Sequence, residues 1–205
     1  MLELKRISVT KNEKNILKET SVKIEVGDRI IFKGESGSGK STLLKSILFF
    51  EDFDGEIFFN DKKILKDDIC EYRNRFSYIG QNPLSFEDSV EQFLLLPFSY
   101  KENLSKQFDK EKLKKYLEIF LFNETVLPQK YNALSGGEKQ RISLIQTLLL
   151  GKKIIVLDEI TSALDSENKK KVIEELLKVE ELTLLIASHD KEWEICATNI
   201  VELKK

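Results

Sequence analysis

The chain reads as an α/β protein, a parallel-sheet core with an antiparallel β section at its N-terminus and an inserted helical subdomain. Three observations predict this. Short apolar runs such as Arg29 to Lys33 and Ile154 to Leu157 alternate with helical patterns, the rhythm of parallel βαβ units. The first of these runs feeds straight into the glycine-rich stretch GESGSGKST and then a helix. From Asn82 to Ala133 the pattern turns helical, lysine-rich and amphipathic.

Taken in order, Leu2 to Val9 alternates weakly as a strand, and Ser21 to Glu25 repeats the pattern before Gly27-Asp28 turns it. Ser41 to Phe50 is expected to be a helix with Leu43, Leu44, Ile47 and Leu48 on one face. Asp54-Gly55 and Asn60-Asp61 bracket GEIFFN as a compact hairpin signal, and Arg75 to Ile79 forms another strand ending at Gly80-Gln81. Within the helical part, Asp109 caps a helix whose buried stripe is Leu113, Leu117 and Phe120. Leu94 to Phe98 is the most apolar stretch outside the core strands. It is either subdomain packing or part of a groove accepting a helix of a membrane partner. Strand–helix alternation then resumes with Ile154 to Leu157, a helix from about Glu167 to Val179, a strand over Leu182 to Ala187, and a last helix after Asp190. At 205 residues the chain is expected to be one domain, 1–205, with its helical subdomain at about 82–134.

Composition excludes several classes. Charged residues make up 33% and the net charge is −2, so no nucleic acid is expected to bind by bulk charge. Cys70 and Cys196 form no CxxC pair, and both are expected to be small buried apolar residues in a reducing compartment. The N-terminus carries no apolar signal-peptide core, and no stretch approaches the ~20 apolar residues that span a bilayer. If the chain serves membrane transport, another chain supplies the pore.

The chemistry concentrates in five motifs. Gly34, Gly37 and Gly39 let the backbone curl so that its N–H groups, from Glu35, Ser36 and Ser38 as well, point inward at phosphate oxygens. Lys40 adds a charge on the terminal phosphates, Ser41 offers a hydroxyl to Mg²⁺, and with Thr42 the chain enters a helix whose positive end faces the anion. IIVLDE delivers two carboxylates at the carboxyl end of a buried strand, where parallel sheets carry ligand sites. Asp158 is expected to hold the magnesium through its water shell, and Glu159 to polarise the attacking water. Gln81, at the junction of a strand and the helical insert, suits a contact to the metal or water and to a moving neighbour. His189, the one histidine of the chain, follows an apolar strand and can donate to the terminal phosphate. In LSGGEKQR, Ser135 with the N–H groups of Gly136 and Gly137 forms either a second anion site at a helix N-terminus or an ordinary serine cap. A second phosphate element beside a complete first one implies a nucleotide clamped between two copies.

With these residues in view, the chain resembles the ATP-binding cassette ATPases, P-loop NTPases of ABC type, across essentially its whole length. The resemblance implies that Gly34 to Thr42 is the Walker A loop, Gln81 the Q-loop residue, Leu134 to Arg141 the family signature, Asp158 and Glu159 the end of Walker B, and His189 the switch histidine. Ser162 to Asp165 looks like the D-loop, which adds Asp165 to the nucleotide site. It further implies ATP and Mg²⁺ as cofactors, ATP hydrolysis coupled to transport, a head-to-tail homodimer across ATP, and a separate transmembrane permease. The expected place is the cytoplasmic face of a bacterial membrane.

A finer resemblance links GEKQRISLI and LDEITSALD to a small bacterial transporter group associated with iron export and oxidative-stress resistance. Ile160 after the catalytic Glu, Gln146-Thr147 and the stretch Val90 to Tyr100 carry it. Where most cassettes place an adenine-stacking aromatic, this chain has Lys11, Asn12 and Glu13. The alternative function is a soluble cassette ATPase in DNA repair, translation or cluster assembly. Against it, Gln81 and Ser135 are too close in sequence for the long coiled coil of the repair members, and the chain carries one cassette rather than two.

Overall fold

The structure, a computed structural model, describes residues 1–160 and 166–204, without the side chains of 166–168. It divides into two compact units. One comprises Met1–Tyr78, Lys153–Glu159 and Val179–Lys205, and the other Ile79–Lys152 and Ile160–Lys178.

In the first unit, β1 (Leu2–Lys11) and β2 (Lys14–Ile24) form a hairpin whose two-residue loop, Asn12-Glu13, has φ of 47° and 61°. Positive φ at both central residues is the type I′ geometry that matches strand twist. The strand thus begins at Lys14, well before the expected Ser21. After β3 (Arg29–Lys33) and helix α1 (Lys40–Ile47), strands β4 (Asp54–Phe59) and β5 (Lys62–Lys63) make a second I′ hairpin on Asn60-Asp61, with φ of 49° and 63°. This turn falls where the sequence placed it. Asp54-Gly55 does not turn the chain but lies inside β4, paired with β1. Gly55 is needed there because β1 bulges at Arg6 (φ 51°), so a Cβ on Gly55 would meet the Arg6 carbonyl at 2.5 Å. The first sheet is ordered β2-β1-β4-β5.

A second sheet has the order β6-β7-β8-β3-β9, built from β6 (Phe76–Ile79), β7 (Ile154–Asp158), β8 (Thr183–Ala187), β3 and β9 (Asn199–Glu202). The pairs β7–β8, β8–β3 and β3–β9 are parallel. β7 and β8 are buried along their whole length, as strands covered on both faces are. β9 went unread in the sequence because its four residues are mostly exposed and carry no apolar run.

The expected helix over Ser41 to Phe50 stops at Ile47, and Phe49 turns to φ 54°. A short helix, α2 (Ile69–Arg73), closes its C-terminus: Tyr72 Oη donates to the Ile47 carbonyl (2.9 Å), Arg73 Nε to Leu48 (2.6 Å) and Arg73 Nη2 to Phe49. Orphan helix carbonyls are thereby satisfied by a cation placed where the helix dipole favours one. Removing the guanidinium with Arg73→Ala is expected to cost about 2 kcal/mol, a fall of about 4–8 °C in the thermal midpoint. A midpoint within a degree of wild type in a melting curve would remove Arg73 from this role.

Cys70 and Cys196 depart from expectation. Cys70 is exposed, because Tyr72 takes the inward position of α2, and Cys196 is half-buried at the end of α7 (Lys191–Cys196). Trp193, on the inner face of α7, is fully buried.

In the second unit, α3 (Val90–Leu95) and α4 (Lys110–Ile119) pack on α5 (Gly136–Leu150), and α6 spans Ser166–Leu177. The helical insert expected at 82–134 falls within this unit. Asp109 caps α4 by accepting from the Lys112 amide (3.0 Å), and Leu113, Leu117 and Phe120 are buried. The apolar stretch splits. Leu94 is fully buried, whereas Phe98 is half-buried edge-on against Phe108 and Leu96 is exposed.

Candidate functional site

β3 delivers the chain into a loop, Gly34 to Gly39, that hands over to α1 at Lys40. Gly39 has φ 91°, and a Cβ there would sit 2.6 Å from the Ile16 carbonyl, so only glycine fits. Gly37 is likewise left-handed at φ 79°. The loop folds around Lys40, which is 5% exposed and donates to the Gly34 (2.9 Å) and Glu35 (3.2 Å) carbonyls. The Ser38 hydroxyl is 2% exposed with no hydrogen-bond partner, an orphan that a polar ligand in the loop would explain. Glu35, Ser36 and Gly37 are exposed at the rim, while Ser41 and Thr42 begin α1 half-buried.

The carboxylates stand where the sequence put them. Asp158 closes the buried strand β7 and is 2% exposed. Its Oδ1 accepts from Ser41 Oγ (2.7 Å) and its Oδ2 from Tyr78 Oη (3.1 Å). Burial, followed by the charge and hydrogen bond of Asp158, holds the Tyr78 phenol well above its ordinary range. Glu159 leaves the strand at φ 53°, an uncommon conformation for a residue with a Cβ, with its amide tied to the Ala187 carbonyl (2.9 Å). Its Oε1 lies 3.8 Å from Lys40 Nζ and 4.0 Å from His189 Nε2. His189 follows β8 and is half-exposed.

One unit therefore brings together the Gly34 to Thr42 loop, Asp158, Glu159 and His189. The sequence reading missed Tyr78. The signal was available in its place at the end of the strand before Gln81, but the neighbouring of β6 and β7 is a topological fact that spacing does not reveal.

Gln81, Ser135, Gly136 and Gly137 belong to the second unit. Gln81 is exposed, and its carbonyl accepts from Gln140 Nε2 (3.3 Å). Ser135 caps α5 in a reciprocal box: its Oγ accepts from the Glu138 amide (3.3 Å), while its own N–H and O–H go to Glu138 Oε2 at 2.8 and 2.7 Å. These Ser135 bonds, side-chain hydroxyl first, lower the Glu138 carboxyl below its ordinary value. Nothing lies within 4 Å of where a Cβ on Gly136 would stand. Asp165, with the rest of Ser162 to Asp165, lies outside the described residues.

Ser41 and Asp158 offer one hydroxyl and one carboxylate, and no group of three or more His, Cys, Asp or Glu among the described residues could hold a metal alone. That donor set fits Mg²⁺, which is commonly bound by one or two carboxylates together with substrate phosphates.

A family model described as ABC transporter matches residues 17–162. The chain is 34% identical over 210 residues to the "Probable iron export ATP-binding protein FetA" of Escherichia coli, covering 100% of this chain and 91% of that one. It is 30% identical over 206 residues to the "Probable ABC transporter ATP-binding/permease protein" of Haemophilus influenzae, covering 95% of this chain and 36% of the relative. The solved dimer of the ATP-binding cassette MJ0796, in a post-hydrolysis state bound to ADP and Pi, superposes with a TM-score of 0.81 at 26% identity, covering 100% of this chain and 94% of that one.

Proposed function

Because this chain belongs to the ABC transporter family as its ATP-hydrolysing cassette, we propose that it works as half of a homodimer that closes on ATP and drives a separate transmembrane permease. The observation that carries the proposal is the gathering of Lys40, Ser41, Asp158, Glu159 and His189 in one unit; the second unit, taken by itself, has an open-faced glycine, Gly136, at the start of α5. No close contact on its Cβ side requires a glycine at position 136. It suits the close approach of a ligand from a second copy.

In this reading the Gly34 to Thr42 loop cradles the phosphates through backbone N–H groups, and Lys40 neutralises their charge. Ser41 and Asp158 would hold Mg²⁺, which when bound neutralises charge developing on the phosphate oxygens. Glu159 takes the proton of the attacking water, and His189 orients that water from the other side. Gln81 links the nucleotide's state to the partner. The anion held by Ser135, Gly136 and Gly137 is the nucleotide of the opposite copy. Positioning and charge stabilisation do most of the catalytic work.

The β1–β2 turn bears Lys11, paired with Glu51 at 2.8 Å, and Asn12-Glu13, so it offers no ring on which a base can stack. Stacking on an aromatic is worth about 1–3 kcal/mol. Steady-state hydrolysis is therefore expected to favour ATP over GTP by less than about tenfold in kcat/KM. A larger preference would show that the base is read by other groups.

No described helix is long and apolar enough to cross a membrane. The place that goes with this reading is the cytoplasmic face of a bacterial membrane, beside the permease. The likeness to the E. coli protein supports iron export as the cargo class, with specificity residing in the permease. Phe98 and Leu96 belong to the surface proposed to receive it. Isolation of the chain from its native cells in mild detergent tests the whole reading. A stoichiometric polytopic membrane protein supports it. Ribosomes, DNA-repair factors or cluster-assembly proteins in its place would leave the ATPase intact and remove the transport role.

A further inference from the structure

We propose that Tyr78 is a positioning residue for the metal side of the nucleotide site, its hydroxyl fixing the Asp158 carboxylate in the orientation that Ser41 and the bound nucleotide require. The proposal rests on the reading of Asp158 given above. Two hydroxyls divide this carboxylate between them: Ser41 Oγ donates to Oδ1 at 2.7 Å and Tyr78 Oη to Oδ2 at 3.1 Å. The terminal torsion of an aspartate is soft, so one hydrogen bond leaves the carboxylate free to swing about it. A second bond to the opposite oxygen fixes its plane. Asp158 is 2% exposed, so water cannot readily replace a donor that is lost there.

Tyr78 is built for the task. β6 and β7 are neighbours in the sheet, so Tyr78 on one strand reaches the end of the other although 80 positions separate them in sequence. Its ring is half-buried and stands edge-on to Phe50, with centroids 6.1 Å apart and planes at 64°. The strand carries the hydroxyl to Asp158 Oδ2, so its aim does not depend on Phe50, whose own ring is largely exposed. A phenylalanine would preserve the ring packing and remove the one bond in question.

Mn²⁺ serves as the probe, with bound and free metal separated by electron paramagnetic resonance in the presence of a non-hydrolysable ATP analogue. Analogue binding without metal is measured in parallel by fluorescence. Y78F is expected to weaken Mn²⁺ about tenfold, the usual consequence of losing an outer-shell partner, while metal-free nucleotide affinity stays within about twofold. F50A, which loosens the ring without touching the hydroxyl, should leave both affinities within about twofold of wild type. The proposal is overturned if Y78F holds Mn²⁺ as wild type does, if F50A weakens the metal as much as Y78F, or if Y78F loses metal-free nucleotide equally. D158N separates this from the underlying reading. Loss of Mn²⁺ in D158N alone sinks only the role of Tyr78, whereas unchanged Mn²⁺ in D158N sinks the metal role of Asp158 and the proposal with it. If Y78F shows no cooperative thermal transition, 4-fluorophenylalanine incorporated at position 78, which keeps the size of the phenol without its donor, replaces it with the same expectations.

Discussion

E159Q is expected to hydrolyse ATP at least about a hundredfold more slowly than wild type while still binding it. The substitution is isosteric, and what holds residue 159 is its backbone. The strand before it is fully buried, and its amide bonds the Ala187 carbonyl at 2.9 Å with φ at 53°. Gln retains that placement and the reach to Lys40 and His189, but it cannot take a proton. Binding rests on Lys40 and the loop, which the change leaves alone, so nucleotide should remain on the protein and the dimer should persist in gel filtration with ATP. Single-turnover hydrolysis is the direct measurement. A rate within about threefold of wild type would exclude Glu159 as the base, since general-base catalysis contributes about 10²–10⁴.

Two glycines give the second large effect, with opposite physical origins. Gly39→Ala places a methyl 2.6 Å from the Ile16 carbonyl at φ 91°. Left-handed strain of about 1–2 kcal/mol and an overpacking cost of about 1–3 add up to a loss of about 2–5 kcal/mol. Thermal stability and nucleotide binding should fall together. Gly136→Ala meets open space at the first position of α5, where alanine is the better helix former, so stability should hold or rise by up to about 1 kcal/mol. Steady-state turnover should nevertheless drop by about tenfold or more, the order of a near-attack geometry displaced by the width of a methyl. If G136A melts earlier than wild type, its glycine serves the fold. If it keeps full activity, no partner approaches it.

The legible parts of this protein were those whose chemistry is local. The bounds of β3, the type I′ turn at Asn60-Asp61, the Asp109 cap and the placement of Asp158 and Glu159 at a strand end follow from short-range rules. What escaped depends on distant neighbours. Gly55 looked like a turn residue because the bulge that requires it lies at Arg6, some fifty positions earlier. Cys70 looked like a core residue because its type is commonly buried, but Tyr72 two positions on takes the inward face. Tyr78 looked like one more strand residue, and only the adjacency of β6 to β7 gives its hydroxyl a carboxylate to hold.

As a mechanical part, α1 is a rod of about 12 Å clamped at both ends. The glycine-rich loop grips one end, and the Tyr72–Arg73 socket grips the other, where an unsupported helix would fray. Held at both ends, the helix keeps its last turn, so the face that α1 lays on β7 and β8 stays set along its whole length.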